Sequence, residues 1–571
     1  MKQAKKEGTM KELEIRVAVA QINCTVGDLD GNCAKIKEYI VKARKASADI
    51  IIFPEMAITG YPPEDLLIKP KFIQDNLNKL KELGAFVKNE VVVVGFVDKK
   101  SGQLFNAAAV IYQGKIKGIY RKTHLPNYSV FDEKRYFSPG EEQKVFKLGK
   151  IIFGVNICED IWHLNGPLKE QSRLGAKLIL NINSSPYYAG KNKERLTVIS
   201  RQAKINKVQI VYTNLVGGQD ELVFDGQSMI VNDKGSLISM AKAFQEDLLI
   251  EDVKVVASKQ RPSKNIIVVS NDLPPREKSV LTRYVFKELG RLEEIYQALA
   301  LGLKDYVDKN GFKKVVIGLS GGIDSALVAV LAVDALGNEN VRGIFMPSRY
   351  SSKESEEDAR ILAQNLGVKF INIPIEEIYK LYLEILKPAF SEVAANIAEE
   401  NLQARIRGNI IMALSNKFGW LVLTTGNKSE MSTGYATLYG DMAGGFAVIK
   451  DVPKVLVYEL VKYRNSLGAV IPDRIITKEP TAELKANQKD SDTLPAYEVL
   501  DPILKAYVEE DKDVAKISSL GFDQETVLKV SKMVDRSEYK RRQSPPGIKI
   551  TPKAFGRDRR MPITNKYRGM I

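Results

Sequence analysis

Cysteine and histidine are scarce in this chain. Three cysteines (Cys24, Cys33 and Cys158) are too few for a disulfide framework, and two histidines (His124 and His163) cannot complete a zinc site with them at any usual spacing. The sequence therefore predicts a cytoplasmic protein of a reducing compartment, without a structural metal ion.

Long apolar runs are also missing. The lysine-rich segment 1–14 is followed by a short β-like run that Arg16 and Gln21 interrupt, so we expect neither a signal peptide nor a membrane span. The sequence has no internal repeat and no low-complexity tract. The chain has 571 residues, 44% of them hydrophobic, and is longer than a single hydrophobic core ordinarily supports. Two or more domains are therefore expected.

The net charge of +15 is concentrated in one segment. Residues 539–571 contain ten Lys or Arg and one acid, a net of +9, which leaves +6 for the rest of the chain. Such a tail is often solvated or unstructured. In this tail, prolines such as Pro545 and Pro552 separate the basic residues, so the segment can instead become ordered against an anionic ligand or a neighbouring subunit. A nucleic-acid-binding protein is disfavoured, because its charge would be spread over a face.

The first half of the chain is predicted to be rich in strands. Short β-branched runs occur at 15–22, 49–53, 91–97, 107–112, 151–157, 177–182 and 208–214. Amphipathic stretches at 33–45 and 72–83 predict helices between them. Periodicity is lost near Arg261-Pro262 and Pro274-Pro275, which indicates a boundary. The predicted division is a domain over 1–256, a linker over 257–281 and a domain over 282–571.

The second half alternates strands with helices. Predicted strands lie at 315–317, 341–346, 369–375 and 420–424, and predicted helices include 326–333, 354–366 and 394–416. This alternation is typical of a parallel α/β sheet that binds ligands at the carboxyl ends of its strands.

A glycine-rich loop follows the first of these strands. It consists of Gly318, Leu319, Ser320, Gly321, Gly322, Ile323, Asp324 and Ser325. Glycines let the backbone approach an anion closely, and free N–H groups at a helix start hold that anion, so we expect a nucleotide here. The alternative is a glycine-rich turn without a ligand. The loop has no Lys after its glycines and so departs from the Walker pattern.

The string from Ser320 to Ser325 resembles the pyrophosphate loop of the ATP pyrophosphatases. Members of that family cleave ATP between its α and β phosphates and adenylylate a substrate. The resemblance implies a Rossmann-like parallel α/β sheet of the adenine nucleotide alpha hydrolase type.

Cys158 follows an apolar run in the first half. Alone it could be a small buried residue. A nucleophilic cysteine needs a base or a nearby positive charge, and we disfavour His124 and His163 as rival bases because they fit loop or turn positions.

Glu55, in Phe-Pro-Glu-Met-Ala, and Lys122, in Tyr-Arg-Lys-Thr-His, each follow a strand-like run. Together with Cys158 they resemble the Glu-Lys-Cys triad of the nitrilase superfamily, which implies an α-β-β-α sandwich. In this chemistry Glu55 is the general base, Lys122 favours the thiolate and stabilises the oxyanion, and Cys158 attacks an amide carbon to give a thioester and ammonia.

The two halves together resemble the glutamine-dependent NAD synthetases over nearly the whole chain. The motifs that carry this resemblance are Leu-Thr-Thr-Gly-Asn-Lys-Ser-Glu at 423–430, Gly-Tyr-Ala-Thr-Leu-Tyr-Gly-Asp at 434–441, and the basic strings at 539–542 and 557–560. It implies a ligase that hydrolyses glutamine, adenylylates deamido-NAD with ATP, and yields NAD, AMP and pyrophosphate. It also implies an ammonia tunnel and a homo-oligomer, with no nucleic acid or membrane partner. The main alternative is a ligase with the same parts that acts on another acid.

The same resemblance implies the binding residues. For glutamine they are Tyr128, Ser185 and Lys191, with Glu159 and Phe131 close by. For ATP they are the loop 318–325 and Thr425, and for deamido-NAD they are Asn401, Glu430, Asp441 and Lys540. Asp324 and Glu430 are similar to magnesium ligands, because hard carboxylates suit a cation that bridges phosphates. The alternatives are a helix cap for Asn401, an ordinary strand end for Thr425, and loop surface for Tyr128 and Lys191.

Overall fold

The computed structural model describes residues 12–258, 263–273, 280–281, 286–391, 393–486 and 488–567. The chain separates into two compact units, one of Met1–Gln219 with Phe224–Glu288 and one of Asp220–Val223 with Leu289–Ile571. The lysine-rich start and much of the expected linker, including Arg261-Pro262 and Pro274-Pro275, lie outside the described residues, so the predicted domain boundaries remain predictions. Within the described ranges no helix is both long and apolar enough to cross a membrane.

The first unit contains two β-sheets. The strands between residues 12 and 270 are β1 (Glu12–Gln21), β2 (Ile50–Ile52), β3 (Val91–Lys100), β4 (Gln103–Tyr112), β5 (Lys115–Arg121), β6 (Val145–Leu148), β7 (Ile151–Ile157), β8 (Leu178–Asn183), β9 (Gln209–Asn214), β10 (Val216–Gln219), β11 (Leu222–Asp225), β12 (Met229–Val231), β13 (Leu237–Met240), β14 (Asp247–Val256) and β15 (Ile266–Ser270). One sheet has the order β14-β1-β2-β3-β4-β5, and the other has the order β13-β12-β9-β8-β7-β6-β15. β10 and β11 pair with each other.

Helices cover the outer faces of these sheets. They are α1 (Leu29–Lys45), α2 (Pro70–Phe86), α3 (Pro167–Arg173) and α4 (Lys191–Asn206). The main core lies between the sheets and includes Val17 and Val19 of β1 and Val155 and Ile157 of β7. Strands covered on both faces read as continuous apolar runs, which is why the β-branched runs were visible in the sequence. The predicted α-β-β-α sandwich is confirmed, and all seven predicted strands are strands of the structure.

The second unit is built on a five-stranded parallel sheet. Its strands are β16 (Val315–Gly318), β17 (Val341–Phe345), β18 (Lys369–Asn372), β19 (Leu421–Thr424) and β20 (Phe446–Ala447), in the order β18-β17-β16-β19-β20. The predicted parallel α/β sheet is confirmed. Because β16 is the central strand, the loop that follows it lies where the carboxyl ends of its neighbours converge.

The helices of the second unit surround this sheet. They are α5 (Arg291–Lys309), α6 (Ile323–Leu336), α7 (Lys353–Leu366), α8 (Glu376–Phe390), α9 (Ile397–Phe418), α10 (Lys428–Thr433), α11 (Lys454–Ser466), α12 (Asp473–Thr477), α13 (Tyr497–Leu504), α14 (Val514–Ser518), α15 (Gln524–Arg536) and α16 (Glu538–Arg541). The helix predicted at 394–416 begins at Ile397, with Asn396 as its cap. Asn401 is therefore not a helix cap, contrary to the alternative considered for it.

The basic tail folds back on its own unit. Arg541 is buried and donates to Glu538 (2.8 Å) and to the carbonyl of Ser432 (2.8 Å). Lys549 pairs with Asp558 at 2.5 Å. These contacts satisfy tail charges within the unit, so the order of this segment requires neither an anionic ligand nor a neighbouring subunit. The alternative of a solvated tail is therefore not supported for the described residues, and the partners of this segment are acidic and backbone groups of its own unit.

Candidate active sites

Cys158 lies at the turn that follows β7. The turn, Cys158–Trp162, is a short 3-10 helix, and Cys158 has a φ of 44°, in the left-handed region. A residue with a side chain is held there at a cost of order 1–3 kcal/mol, and such strain persists where the surroundings fix it. Asp160 supplies part of that support, because its carboxylate accepts from Ile157 N (3.1 Å) and His124 N (2.8 Å).

Lys122 lies between two buried carboxylates. Its Nζ is 2.8 Å from Oε1 of Glu55 and 2.8 Å from Oε1 of Glu133. The side-chain amide of Asn106 donates to Glu55 Oε1 at 2.6 Å and to Glu133 Oε2 at 3.4 Å. The other oxygen of Glu55 accepts from Ser184 N at 2.8 Å. Glu55, Lys122, Glu133 and Asn106 thus form one hydrogen-bonded group, here called the glutaminase cluster.

Burial sets the protonation of this region. It raises the pKa of the Glu133 carboxyl to about 7, against the attraction of Lys122. Burial opposes the Lys122 ammonium, but the charges of Glu133 and Glu55 hold its pKa well above the usual range. Burial and the charge of Glu55 raise the pKa of the Cys158 thiol, while Lys122 lowers it. Cys158 is therefore a thiol at rest and needs a base before it can act as a nucleophile.

Three of the residues expected to bind glutamine form one group beside Cys158. The Tyr128 hydroxyl donates to Glu159 Oε2 at 2.8 Å, and the Tyr128 and Phe131 rings are in edge contact with centroids 5.6 Å apart. Glu159 follows Cys158 directly in the short turn. Burial and the charge of Glu159 raise the pKa of Tyr128.

Ser185 and Lys191, the other two residues expected to bind glutamine, are each held by a neighbouring side chain. The Ser185 hydroxyl accepts from Arg195 Nε at 3.2 Å, and Arg195 is itself fixed by a buried pair with Asp225 at 2.7 Å. Lys191 begins α4 and lies over the Trp162 ring, with Nζ 4.2 Å from its centroid. Burial and the charge of Arg195 lower the pKa of Lys191.

The two histidines stack on each other. The ring centroids of His124 and His163 are 3.8 Å apart, and His163 Nε2 is 3.5 Å from Glu159 Oε1. These contacts attach the pair to the turn that carries Cys158. The base adjacent to Lys122 is the carboxylate of Glu55, which agrees with the low weight given to the histidines.

In the second unit, the glycine-rich loop lines a cavity of about 320 Å³. All eight residues from Gly318 to Ser325 contribute to its wall. Gly321 has a φ of 76°, and a Cβ there would clash with the carbonyl oxygen of Ser355, so glycine is required at this position. Ser325 Oγ donates to the Gly322 carbonyl at 2.9 Å and accepts from Ser320 N at 3.2 Å, which holds the loop in shape.

Asp324, Glu430, Lys454 and Asn427 form a second cluster at this cavity, here called the synthetase cluster. Lys454 donates to Asp324 and lies 3.9 Å from Glu430. Asn427 donates to Asp324 Oδ1 from its side chain (3.0 Å) and to Glu430 Oε2 from its backbone (3.2 Å). Burial and the charge of Asp324 raise the pKa of Glu430 well above the usual range. A cation at these carboxylates would relieve that repulsion.

The start of α7 forms another part of the wall. Glu483 accepts from Ser352 Oγ (2.9 Å), Ser355 Oγ (2.7 Å) and Lys478 Nζ (2.9 Å). A carboxylate of the chain thus occupies the partly positive end of a helix. Arg407 also lines the cavity, and burial lowers its pKa to about 10.

The expected deamido-NAD residues are only partly brought together. Glu430 and Asp441 line the cavity, as does Thr425, which was expected to bind ATP, and burial raises the pKa of Asp441 to about 6. Asn401 accepts from the Thr437 hydroxyl at 2.7 Å, and Lys540 donates to the carbonyls of Gly434 and Ala436. Asn401 and Lys540 therefore support the segment 434–441, which carries Asp441.

Several residues of both clusters were missed by sequence reasoning. In the first unit they are Glu133 and Asn106, and in the second they are Asn427 and Lys454. Lys478 and Glu483, which form another part of the cavity wall, were missed as well. Glu133 lies only 11 residues after Lys122, but it stands in a run of charged residues that is typical of surface. Asn427 lies within the 423–430 motif, and its place directly before a helix was a usable capping signal.

Fold and sites together define a class: an amidohydrolase of the nitrilase type joined to an ATP pyrophosphatase. A carbon-nitrogen hydrolase family model matches residues 16–262, and an NAD synthase family model matches residues 295–544. The chain is 50% identical to the glutamine-dependent NAD(+) synthetase of Thermotoga maritima, over 97% of this chain and 99% of the relative. It is 46% identical to that of Aquifex aeolicus, over 97% of this chain and 100% of the relative.

Solved structures agree with these relatives. The glutamine-dependent NAD+ synthetase of Acinetobacter baumannii, in complex with ADP, matches with a TM-score of 0.74 and 46% identity, over 97% of this chain and 99% of that one. The enzyme from Cytophaga hutchinsonii has the same fold, with a TM-score of 0.80 at 23% identity, over 97% and 98% of the two chains. The chain belongs to the family of glutamine-dependent NAD(+) synthetases and is a ligase that forms a carbon–nitrogen bond.

Proposed function

We propose that the two clusters divide the work of a glutamine-dependent NAD synthetase. The first unit hydrolyses glutamine to glutamate and ammonia. The second activates the nicotinate carboxylate of deamido-NAD with ATP and joins it to ammonia, giving NAD, AMP and pyrophosphate. The observation that carries this proposal is the contact of Lys122 with Glu55 beside Cys158, in a unit separate from the phosphate loop.

In the first unit, Glu55 takes the proton of the Cys158 thiol as sulfur attacks the carboxamide carbon of glutamine. Lys122 stabilises the negative charge that develops on the carbonyl oxygen. When the tetrahedral intermediate collapses, the carbon–nitrogen bond breaks, Glu55 returns the proton and ammonia leaves. Glu55 then removes a proton from water, which attacks the thioester carbon. As the carbon–sulfur bond breaks, Glu55 returns this proton to the Cys158 sulfur and glutamate leaves.

The rest of this site holds glutamine for that attack. We assign the charged ends of glutamine to Glu159 and Lys191, a carboxylate and an ammonium that both interact with Cys158. Tyr128, Phe131 and Ser185 complete the site. The contact of Arg195 with Ser185 supports this assignment, because it fixes the serine before substrate arrives.

In the second unit, the backbone N–H groups of residues 318–325 and the start of α6 hold the ATP phosphates. Thr425 contacts the nucleotide. A carboxylate oxygen of deamido-NAD attacks the α-phosphorus, and pyrophosphate leaves. Ammonia then attacks the activated carboxyl carbon, and AMP leaves. Asp441 and Glu430 face deamido-NAD, and we assign Asn401 and Lys540 to the same site through the segment that they support.

Asp324 and Glu430 fit a magnesium ion. Within the described residues no group of three or more histidine, cysteine, aspartate or glutamate side chains could hold a metal ion by itself. Two carboxylates with the remaining positions left to phosphates and water is the arrangement that magnesium favours. Bound there, magnesium would neutralise charge on the phosphates. The raised pKa of Glu430 supports this, since the chain leaves that carboxylate poorly compensated.

We also propose that the enzyme is a homo-oligomer of the cytosol. An apolar stripe on α8 supports the association of two copies: Ile378, Leu381, Tyr382 and Ile385 are all exposed and recur at helical spacing. The free thiol that the glutaminase chemistry requires supports a reducing compartment. Light scattering of the wild type and of Leu381→Glu tests the first point, with a shift to smaller species expected.

One reaction mixture tests the proposed function. The protein is incubated with ATP, magnesium, deamido-NAD and either glutamine or ammonia, and AMP, pyrophosphate and NAD are measured together. We expect Cys158→Ala to lose NAD formation from glutamine and to keep it from ammonia. Full glutamine-dependent activity in this variant would overturn the triad, and production of ADP in place of AMP would overturn adenylylation.

A further inference from the structure

We propose that Asn106 is a positioning residue of the glutaminase reaction: its side-chain amide fixes Glu55 and Glu133 in the arrangement from which Glu55 takes the Cys158 proton. The inference rests on the proposed role of Glu55 as the general base. It assigns a task in the reaction to a residue outside the Glu55–Lys122–Cys158 triad.

The first argument is geometric. Asn106 lies on β4, and its Nδ2 reaches Oε1 of Glu55 (2.6 Å) and Oε2 of Glu133 (3.4 Å), while Lys122 Nζ bridges the same carboxylates from the other side. The four side chains close a ring. The backbone carbonyl of Asn106 also accepts from the backbone N of Lys122 at 2.8 Å, so the backbone next to each of these two side chains is fixed by the other residue.

The second argument concerns charge. Two carboxylates and one ammonium give the ionised cluster a net charge of −1. A cationic donor at position 106 would cancel that charge and make Glu55 a weaker base, and an apolar residue would leave a carboxylate oxygen without its donor. An amide donates a hydrogen bond and adds no charge. Asparagine therefore meets both requirements.

The third argument is an unsatisfied atom. Oδ1 of Asn106 is buried and has no hydrogen-bond partner within the described part of the chain. Turning the amide over would not help, because it would place this oxygen 2.6 Å from Glu55 Oε1, and both atoms are acceptors. Buried acceptors are rarely left unpaired, and the exceptions concentrate at functional sites. The carboxylates therefore dictate the orientation of Asn106, at the expense of its own oxygen.

The test compares Asn106→Ser with a matched variant, Asn76→Ser. Asn76 is an equally buried asparagine of the same unit that bonds the backbone of Val97 on β3, and so has a purely structural role. Glutamate release is measured against glutamine concentration and pH, ammonia-dependent NAD formation serves as the folding control, and melting temperatures are recorded for both variants.

We expect Asn106→Ser to lower kcat for glutamine roughly 10–100-fold, the scale found for outer partners of catalytic groups. The KM for glutamine should change little, because none of the proposed glutamine-binding residues bonds Asn106. The acid limb of the kcat/KM profile should move to higher pH, since a carboxylate that loses a donor gains basicity. Asn106→Asp, which adds a third carboxylate around Lys122, should move it further. Asn76→Ser should lower the melting temperature and leave the profile in place.

Two results would overturn the inference. One is a wild-type kcat and acid limb in Asn106→Ser. The other is a loss of activity that only follows the melting temperature, as in Asn76→Ser, with the acid limb unmoved. The Cys158→Ala result separates this inference from the proposed function: if Cys158→Ala is inactive with glutamine while Asn106→Ser is unchanged, the triad stands and the role of Asn106 falls.

Discussion

The glutaminase cluster and the synthetase cluster are built from the same kinds of group, one lysine, one asparagine and two carboxylates, in two different arrangements. In the first, Lys122 is equally close to Glu55 and Glu133. In the second, Lys454 is bonded to Asp324 and stands 3.9 Å from Glu430. The first lysine compensates both carboxylates, whereas the second compensates mainly one.

The asparagines of the two clusters also differ in how their side chains are hydrogen-bonded. Asn106 gives both of its side-chain bonds to carboxylates and leaves its oxygen unpaired. Asn427 caps α10: its oxygen accepts from Glu430 N at 3.0 Å while its side-chain nitrogen donates to Asp324, so both of its polar side-chain atoms are paired. Only the synthetase cluster lines the 320 Å³ cavity described for the second unit.

This difference follows from the chemistry of each site. Glutamine hydrolysis moves a proton among side chains, so the buried carboxylates must be held by donors of the protein itself before substrate binds. Adenylylation brings its own charges, the phosphates of ATP and a divalent cation, so a site with uncompensated carboxylate is suited to receive them. The comparison predicts that the two clusters respond differently to the loss of one charge.

The largest effect is expected for Asp324→Asn. The change keeps the shape of the side chain and removes the charge that we assign to magnesium, so NAD formation should fall by at least roughly 10²–10³-fold with either nitrogen source. NAD is measured with glutamine and with ammonia at several magnesium concentrations. Cys158→Ala is the control, since it should lose only the glutamine-dependent reaction. Ammonia-dependent synthesis at the wild-type rate would remove Asp324 from the synthetase reaction.

A smaller effect is expected from the pH dependence of Glu133. Burial raises its pKa to about 7 in the folded protein, above the value of about 4.5 in an unfolded chain. The folded state therefore binds more protons between these values, and this group makes the fold less stable as pH rises from about 4.5 to 7. Glu133→Gln cannot ionise and should escape that loss.

Calorimetry from pH 5 to 7.5 measures this difference. As pH rises, the melting temperature of the first unit in Glu133→Gln should increase by a few degrees relative to that of the wild type. Each kcal/mol of difference in the free energy of unfolding corresponds to roughly 2–4 °C. Asp160, whose pKa burial raises to about 6, contributes equally to both proteins and cancels in the comparison. A constant difference across the range would show that Glu133 does not titrate there.

The smallest effect is expected for His163→Asn. The imidazole stacks on His124 and reaches Glu159 at 3.5 Å, and we assign the role of base to Glu55. The kcat for glutamine should stay within about threefold of the wild type, far less than the losses that general-base removal causes. Steady-state glutaminase assays of both proteins measure this kcat. A drop of a hundredfold or more would return histidine to the list of candidate bases.

Much of the fold was predictable because its signals are local. Strands covered on both faces appear as β-branched runs, and β7, β8 and β16 were visible for that reason. β5 and β20 were not, since one begins with two exposed residues and is mostly half-buried after them, and the other has only two residues. The basic tail was misjudged because its acidic partners, such as Glu538, precede the segment that was counted.

Candidate site residues could be selected from the sequence only where a residue follows a strand within a recognisable motif, as Glu55, Lys122, Cys158 and Asp324 do. Their partners carry no such signal, because the contacts form between distant parts of the chain. Asn106 lies 51 residues from Glu55, and Lys454 lies 130 residues from Asp324. A sequence without an alignment gives no reason to select one lysine or asparagine over the others at that separation.

The anchoring of the tail imposes an order on folding during synthesis. Lys428 begins α10, the helix that carries Glu430, and it is held by Thr551 and the carbonyl of Lys553, 123 and 125 residues later. Such long loops close slowly, and the ribosome adds only roughly 5–20 residues per second. The sheets of the first unit can close once β14 and β15 have emerged, long before residue 551. The half to which we assign ammonia release can therefore fold before the half that consumes ammonia has been fully synthesised.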